Sequence, residues 1–186
     1  MMIYVFLANG FEEVEALTPV DMLRRCELDV VTVGVDGTVI KGSHGITVSA
    51  DIDASEIRLD DNLDMIVLPG GMPGTLNLEA SSYVQKAIDF CAENDRYIAA
   101  ICAAPSILGH KGILSGKTAT CFTGFESQLT GAVISKKSVC TDGKIITSRG
   151  AGTAMEFSFE LVKLLISSER SNILKASVHY KKQITR

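Results

Sequence analysis

The sequence predicts an α/β fold, in which helices cover both faces of a doubly wound, mostly parallel sheet. The main observation is that short apolar segments alternate with amphipathic helical segments along the chain. The second is size and composition: 186 residues, 46% of them hydrophobic and 22% charged, can bury a substantial core. We find no linker, internal repeat or low-complexity stretch, so we expect a single domain over residues 1–186.

The elements follow from the local patterns. Apolar runs predict strands at residues 2–7, 28–34, 64–68, 97–101 and 117–120. Helical spacing predicts helices at residues 12–26, 82–93, 151–167 and 168–179. Pro19 either kinks the first helix or restarts it, with Thr18 as the cap. Antiparallel pairs are expected at 38–40 with 45–49, and at 139–147 around the turn Asp142-Gly143.

Composition excludes several classes of protein. The net charge is −4 and no basic stripe occurs, so we expect no nucleic-acid partner. No apolar run approaches the ~20 residues of a membrane span, and the first residues lack the basic start of a signal peptide. A cytoplasmic protein is therefore expected. The five cysteines are odd in number and lack C-x-x-C spacing, so neither a disulfide framework nor a metal site is indicated.

Cys102 is the candidate nucleophile. It stands between the buried run at 97–101 and a predicted helix whose first turn holds small residues and Pro105. A side chain at such a junction is raised above the sheet, as in the nucleophile elbow of hydrolases. The free N–H groups of the helix start would favour a thiolate over a thiol.

Two further loops should meet Cys102 at the carboxyl edge of the sheet. Gly70 and Gly71 permit close backbone approach, and their N–H groups with that of Ala103 form a predicted oxyanion pocket. The loop after the first strand brings three acids, at 12, 13 and 15. We place Glu15 beside Cys102, as a protonated hydrogen-bond donor or an ionised general base. Local sequence alone does not choose among the three, which could equally complement a helix start.

Four segments then suggest a family. They are Glu12-Glu13-x-Glu15, Leu68-Pro69-Gly70-Gly71, the run Ala99-Ala100-Ile101-Cys102-Ala103-Ala104-Pro105 and the run from Thr147 to Phe157, in this order. The chain resembles the ThiJ/PfpI superfamily, specifically the branch of the Parkinson-associated DJ-one protein and bacterial YajL. The resemblance covers nearly the whole chain.

The resemblance implies a flavodoxin-like sandwich that forms a homodimer and needs no cofactor. It implies an oxidation-sensitive Cys102 of low pKa, hydrogen-bonded by a protonated Glu15, with Gly71 and Ala103 lining an anion pocket. The implied activity is that of a glyoxalase or deglycase acting on small reactive carbonyls. The alternative is a non-enzymatic oxidative-stress sensor or a redox-regulated chaperone. Ala103 stands where the family's peptidases need a histidine, so a Cys-His peptidase is not expected.

The chain also departs from the pattern of its relatives. Phe122 occupies the position of a histidine in human-type members, so we expect slow turnover. His44 replaces an arginine in the loop between the two short strands, and Ala151 replaces a proline. His44 and Phe122 are candidates to line the pocket. Arg25, part of a basic pair on the first helix near the implied dimer interface, is a further candidate.

Overall fold

A seven-stranded sheet forms the centre of the molecule, in a computed structural model that describes residues 1–181. The strands of the described chain are β1 (Met2–Leu7), β2 (Asp29–Gly34), β3 (Val39–Lys41), β4 (Thr47–Ser49), β5 (Ile52–Asp53), β6 (Leu63–Leu68), β7 (Tyr97–Ile101), β8 (Thr118–Ala119), β9 (Val133–Ile134), β10 (Val139–Asp142) and β11 (Ile145–Ser148). The central sheet has the order β10-β11-β7-β6-β1-β2-β5, and only the β10–β11 pair is antiparallel. The predicted flavodoxin-like α/β fold is confirmed.

The helices are α1 (Glu13–Arg24), α2 (Gly74–Ala80), α3 (Ser82–Glu93), α4 (Pro105–His110), α5 (Ala154–Leu165) and α6 (Ser168–Ser177). Strand β1 shows how they cover the sheet. Ile3, Val5 and Leu7 lie in one core cluster with residues of α1 and α5, while Tyr4 and Phe6 lie in a second cluster with residues of α3. Both faces of the strand are therefore buried, as its continuous apolar run predicts. None of the helices within residues 1–181 has the length and apolar character to cross a membrane.

The structure excludes one of the two alternatives at Pro19, the restart of the helix. Helix α1 runs without interruption from Glu13 to Arg24, so the predicted restart at Thr18 is wrong. Pro19 has no N–H for the carbonyl of Glu15, four residues earlier. The Pro19 side chain is buried, and α1 packs against α5. The helix is therefore held by its packing although this hydrogen bond is missing.

One short α-helix and two short strands were not expected from the sequence. They are α2, β5 and β9, of which the last two hold two residues each. Strand β9 pairs with β8, so residues 118–119 form a separate small sheet. The predicted helix at 151–167 begins later, because Ala151–Thr153 form a 3-10 turn before α5.

Strand order places the site. Strands β7, β6 and β1 are neighbours and run parallel, so the loops that follow them leave from the same edge of the sheet. These loops hold Cys102, the pair Gly70-Gly71 and the start of α1. The three predicted site segments therefore converge.

Candidate active site

Cys102 is held in a strained backbone conformation directly after β7. Its φ angle is 66°, in the left-handed region that costs a residue with a Cβ about 1–2 kcal/mol. Two hydrogen bonds fix this conformation: its N–H donates to the carbonyl of Ser148 at 2.9 Å, and its carbonyl accepts from the N–H of Phe122 at 2.8 Å. The side chain remains partly exposed. Cys102 is therefore not fully enclosed by the fold.

Glu15 lies against Cys102. The carboxyl is in the first turn of α1, is 1% exposed, and its Oε2 accepts the N–H of Gly70 at 3.0 Å. A Cβ added to Gly70 would lie 2.6 Å from both Glu15 Oε2 and Cys102 Cβ, and 3.1 Å from the sulfur. Only a glycine lets the β6 loop pack so closely against both side chains. The carboxyl and the sulfur thus meet over the backbone of Gly70.

The amides of Gly71 and Ala103 act on the sulfur. Each donates its N–H toward the Cys102 sulfur, which favours the thiolate. Gly71 has a φ of 92°, a left-handed conformation that glycine adopts without strain. With these donors, an oxygen bound to the sulfur would lie close to backbone N–H groups, as in an oxyanion pocket.

The Cys102–Glu15 pair is coupled through a shared proton. Burial chiefly raises the pKa of Glu15 to about 7, and the neighbouring Glu12 adds to the effect. Burial and an ionised Glu15 together raise the pKa of the Cys102 thiol to about 12, although the two amides oppose them. The pair therefore loses its first proton near neutral pH, and the loss of the second is strongly resisted. Once one proton has left, either Cys102 or Glu15 carries the negative charge, depending on which of the two groups keeps the remaining proton.

The three acids of the first loop have different roles in the structure. Glu12 caps α1, since its Oε2 accepts the N–H of Glu15 at 2.7 Å. The Glu13 side chain points to the β3–β4 hairpin, where it accepts hydrogen bonds from the N–H groups of His44, at 2.9 Å, and Ile46, at 3.3 Å. Of the three, Glu15 is the one that meets Cys102.

His44 lies on Glu13. Its Nδ1 is 3.0 Å from Glu13 Oε2 and 3.9 Å from Glu12 Oε1, and 71% of its side chain is exposed. The hydrogen bond to Glu13 raises the pKa of His44. Burial raises the pKa of Glu13, but its hydrogen bonds outweigh this and the net shift is downward. The ligand atoms of these three residues lie within 4.8 Å of one another, a spacing that a metal ion could use. The ion pairs of His44 with Glu13 and Glu12 already account for this arrangement.

The Phe122 ring and the Glu15 carboxyl both lie next to Gly150. A Cβ added to Gly150 would be 3.3 Å from the Phe122 ring and 3.6 Å from Glu15 Oε1. The ring is 50% exposed and borders a cavity of about 290 Å³ that Arg149 and Gly150 also line. Phe122 therefore shapes the approach to the carboxyl but offers no proton.

Arg25 does not line the pocket of its own chain. Arg25 caps the opposite end of α1 from Glu15, and ten residues of helix separate the two by about 15 Å. Its side chain pairs with Asp21 at 2.9 Å on the surface. The sequence places Arg25 on the correct helix, but the site occupies only the first turn.

Sequence reasoning gave no role to two backbone groups of the β11 loop. The carbonyl of Ser148 fixes Cys102, and the N–H of Ala151 donates to Glu15, which lowers the pKa of its carboxyl. Both residues lie in the segment from Thr147 to Phe157. The resemblance of this segment to the family was the sequence signal that could have identified them.

Comparison with known proteins gives a consistent result. The profile of the DJ-1/PfpI family matches residues 1–164. Protein DJ-1 homolog B of Arabidopsis thaliana is 40% identical over 168 residues, 89% of this chain, and this chain spans only 38% of that relative's length. Protein dj-1beta of Drosophila melanogaster is 36% identical, with 89% of this chain and 90% of the relative covered. The deglycase PfpI of Pyrococcus furiosus is 31% identical, with 89% and 99% covered.

Solved structures agree with these matches. The oxidized DJ-1 of Toxoplasma gondii superposes with a TM-score of 0.92 at 32% identity, covering 97% of this chain and 99% of that one. The DJ-1beta crystal structure of Drosophila melanogaster gives a TM-score of 0.91 at 33% identity, with 97% and 98% covered.

Proposed function

This chain belongs to the DJ-1/PfpI family, and we propose that it is a Cys102-dependent enzyme that converts small reactive carbonyls such as methylglyoxal. The observation that carries the proposal is the contact of the sulfur of a partly exposed cysteine with a buried carboxyl and two amide donors. A relative named as a deglycase, at 31% identity, supports an activity of this class. The glyoxalase or deglycase type is our inference from the chemistry of the site.

The first step needs a thiolate. Glu15 is 1% exposed whereas Cys102 is partly exposed, so ionising the sulfur costs less solvation than ionising the carboxyl. We therefore assign the remaining proton to Glu15, which donates it toward the sulfur. The thiolate of Cys102 attacks the aldehyde carbon, and a C–S bond forms as the C=O π bond breaks. The N–H groups of Gly71 and Ala103 stabilise the oxyanion. The proton of Glu15 then passes to this oxygen, which gives the hemithioacetal and leaves Glu15 as a carboxylate.

Glu15 then moves protons within this adduct. Its carboxylate removes the proton from the carbon bonded to sulfur, giving an enediol, and returns a proton to the neighbouring carbon. The product is a lactoyl thioester of Cys102. Water cleaves the C–S bond, which releases lactate and restores the thiol. The balance is methylglyoxal plus water to lactate, with no external oxidant or reductant. Phe122 provides no second acid or base, so we expect slow turnover.

The test is lactate formation from methylglyoxal by the purified protein and by two serine variants. Cys102→Ser should lose turnover, whereas Cys91→Ser, at a fully buried thiol on α3, should retain it. Turnover that survives in Cys102→Ser would contradict the proposal.

The second candidate function is an oxidative-stress sensor or redox-regulated chaperone. The same amides and a protonated Glu15 would hold a sulfinate on Cys102 as readily as an oxyanion. A related DJ-1 has been solved in an oxidized form, which favours this reading of the site. Low peroxide doses that add two oxygens to the Cys102 peptide, in a protein without carbonyl turnover, would select the sensor.

We also propose that the chain forms a homodimer. Val14 and Leu17 on α1 are 49% and 37% exposed, and Ile46 on the neighbouring β3–β4 hairpin is 55% exposed. These exposed apolar side chains lie near the contact between Glu13 and the β3–β4 hairpin. A second copy of the chain would cover them in a dimer. Sedimentation should show that Leu17→Glu weakens the dimer. Ile173→Glu, at an exposed apolar residue of α6, is the control that should leave the dimer intact.

A further inference from the structure

The cavity beside Phe122 shares two of its wall residues with the surroundings of the Glu15 carboxyl. It has a volume of about 290 Å³, and Gly150 and Ala151 belong to its wall. The N–H of Ala151 donates to the Glu15 carboxyl, and a Cβ added to Gly150 would be 3.6 Å from Glu15 Oε1. The N–H of Phe122 donates to the carbonyl of Cys102 at 2.8 Å, which holds Phe122 at this place. The cavity therefore adjoins the groups to which we assign the chemistry.

The proposed reaction directs part of the substrate toward this cavity. In an α-oxoaldehyde the aldehyde carbon bonds to sulfur, and the neighbouring carbon carries the substituent. Glu15 returns a proton to that neighbouring carbon, so the substituent lies on the Glu15 side of the adduct. This orientation rests on the proposed function. A methyl group, close to a water molecule in size, would fill little of a space equal to about ten water molecules at roughly 30 Å³ each.

The wall of the cavity offers apolar contact. Phe122 is 50% exposed, and two of the other wall residues are glycines without side chains. The polar side chains of the wall are already hydrogen-bonded within the protein. Thr153 Oγ1 donates to the carbonyl of Gly150 at 2.8 Å, and Arg149 Nη2 donates to Thr123 Oγ1 at 2.8 Å. A second ring in the cavity would pack on the Phe122 ring and lose contact with water.

We propose that this cavity holds the substituent of the substrate, and that it selects α-oxoaldehydes with an aryl substituent, such as phenylglyoxal, over methylglyoxal. Phe122 and Gly152 are the residues that determine this preference. The thiolate addition, the proton transfers and the hydrolysis of the C–S bond follow the same course as for methylglyoxal. The balance is phenylglyoxal plus water to mandelate, with no external oxidant or reductant.

Turnover gives the first measurement. We expect kcat/KM for mandelate formation from phenylglyoxal to be about tenfold higher than kcat/KM for lactate formation from methylglyoxal. Gly152→Leu should lower this ratio about tenfold, because the leucine side chain takes up space in the cavity. A Cβ added to Gly152 meets no atom within 4 Å, and the residue lies in a 3-10 turn, so the variant should fold. Ala176→Leu, at an exposed position of α6, is the matched control and should leave the ratio unchanged.

Alkylation of Cys102 tests the cavity without turnover. Phenacyl bromide and bromoacetone both lose bromide to the thiolate as a C–S bond forms, and they differ in the phenyl or methyl group on the ketone carbon. Each rate is followed on the Cys102 peptide by mass spectrometry and divided by the rate with free cysteine. Phenacyl bromide should then alkylate Cys102 about tenfold faster than bromoacetone. Phe122→Ala should lower this preference about fivefold, because the ring contact is lost, whereas Ala176→Leu should not change it.

The two measurements separate this proposal from the proposed function. Absence of lactate and mandelate, with the alkylation preference intact, would contradict the enzyme but support the cavity as the site of the aryl group. Turnover of methylglyoxal without a preference for either aryl compound would overturn the selective cavity and leave the enzyme standing. A preference unchanged in both Phe122→Ala and Gly152→Leu would place the aryl group elsewhere and overturn the proposal.

A charged reagent tests the competing explanation. Arg149 also lines the cavity, so charge rather than apolar contact would select the substituent if its guanidinium bound an anionic group. We expect a carboxy-substituted phenacyl bromide to alkylate Cys102 no faster than phenacyl bromide itself. Faster alkylation by the carboxy-substituted reagent, lost in Arg149→Met, would overturn the proposal.

Discussion

Replacing Glu15 with Gln should remove a pH-dependent loss of stability. The folded-state pKa of Glu15 is about 7, against an ordinary value of 4.5, chiefly because the carboxyl is buried. Between these values the unfolded chain has released a proton that the folded chain retains. The free energy of unfolding therefore falls as pH rises through this window and is constant above it. The interval of about 2.5 pKa units corresponds to about 3 kcal/mol at 1.36 kcal/mol per unit.

The assay is urea unfolding, followed by circular dichroism, from pH 4 to pH 8. Both proteins carry Cys102→Ala, so that the proton cannot move to sulfur. Cys102→Ala also removes the hydrogen bond that lowers the pKa of Glu15, so relative to its parent Glu15→Gln should gain at least about 3 kcal/mol of stability between pH 4 and pH 8. The matched control is Glu13→Gln, a buried glutamate on the same helix whose pKa is lowered. Glu13 stabilises the fold above its ordinary pKa of 4.5, and its hydrogen bond raises the pKa of His44, so their contact is strongest below the ordinary His44 pKa of 6.5. Glu13→Gln should therefore lose most stability between these two pH values, in contrast to the steady gain of Glu15→Gln. A stability difference for Glu15→Gln that does not vary with pH would refute the assignment of a protonated, buried acid.

Three further predictions concern the same site. Gly70→Ala should destabilise the fold by about 1–3 kcal/mol and abolish turnover, because the new Cβ would overlap Cys102 and Glu15; unfolding and lactate assays measure both effects. Cys102→Gly should unfold at a higher urea concentration than Cys102→Ala, since glycine relieves the left-handed strain at this residue; equal midpoints would show that no strain is present. Phe122→His should raise kcat for methylglyoxal by adding an acid–base group beside Glu15, and an unchanged kcat would show that Glu15 alone moves the protons.

The sheet and the elbow were predictable because their signals are local. Continuous apolar runs identify β1, β6 and β7, and a small-residue turn with Pro105 follows the last of them. Convergence of their loops then follows from the rule that parallel strands of one sheet end at the same edge.

The orientation of individual side chains was not predictable in the same way. Glu12, Glu13 and Glu15 share one helix start, and only the packing of α1 determines which of them points to Cys102. The hydrogen bonds of Glu13 to the β3–β4 hairpin join residues some thirty positions apart, so no local pattern reveals them. Arg25 was placed on the right helix, but at the end that the site does not use.

The short elements were missed for a different reason. Helix α2 starts at Gly74, directly after Pro73, and both are residues that usually indicate a turn. Strand β5 has two residues and is defined by its pairing with the end of β2 rather than by its own composition. Pro19 indicated a break in α1, yet the helix continues through it because its apolar face is packed against α5.

The most direct test of the site is the rate of Cys102 alkylation by iodoacetamide as a function of pH, in the wild type and in Glu15→Gln. If Glu15 keeps the proton and the sulfur carries the charge, the wild-type rate should reach its plateau well below the ordinary thiol pKa of 9.0. In Glu15→Gln the half-maximal rate should move to higher pH, because the amide is a weaker donor to the thiolate. A wild-type rate that rises only in strongly alkaline solution, toward a pKa of about 12, would place the charge on Glu15 and contradict a nucleophilic Cys102 at neutral pH.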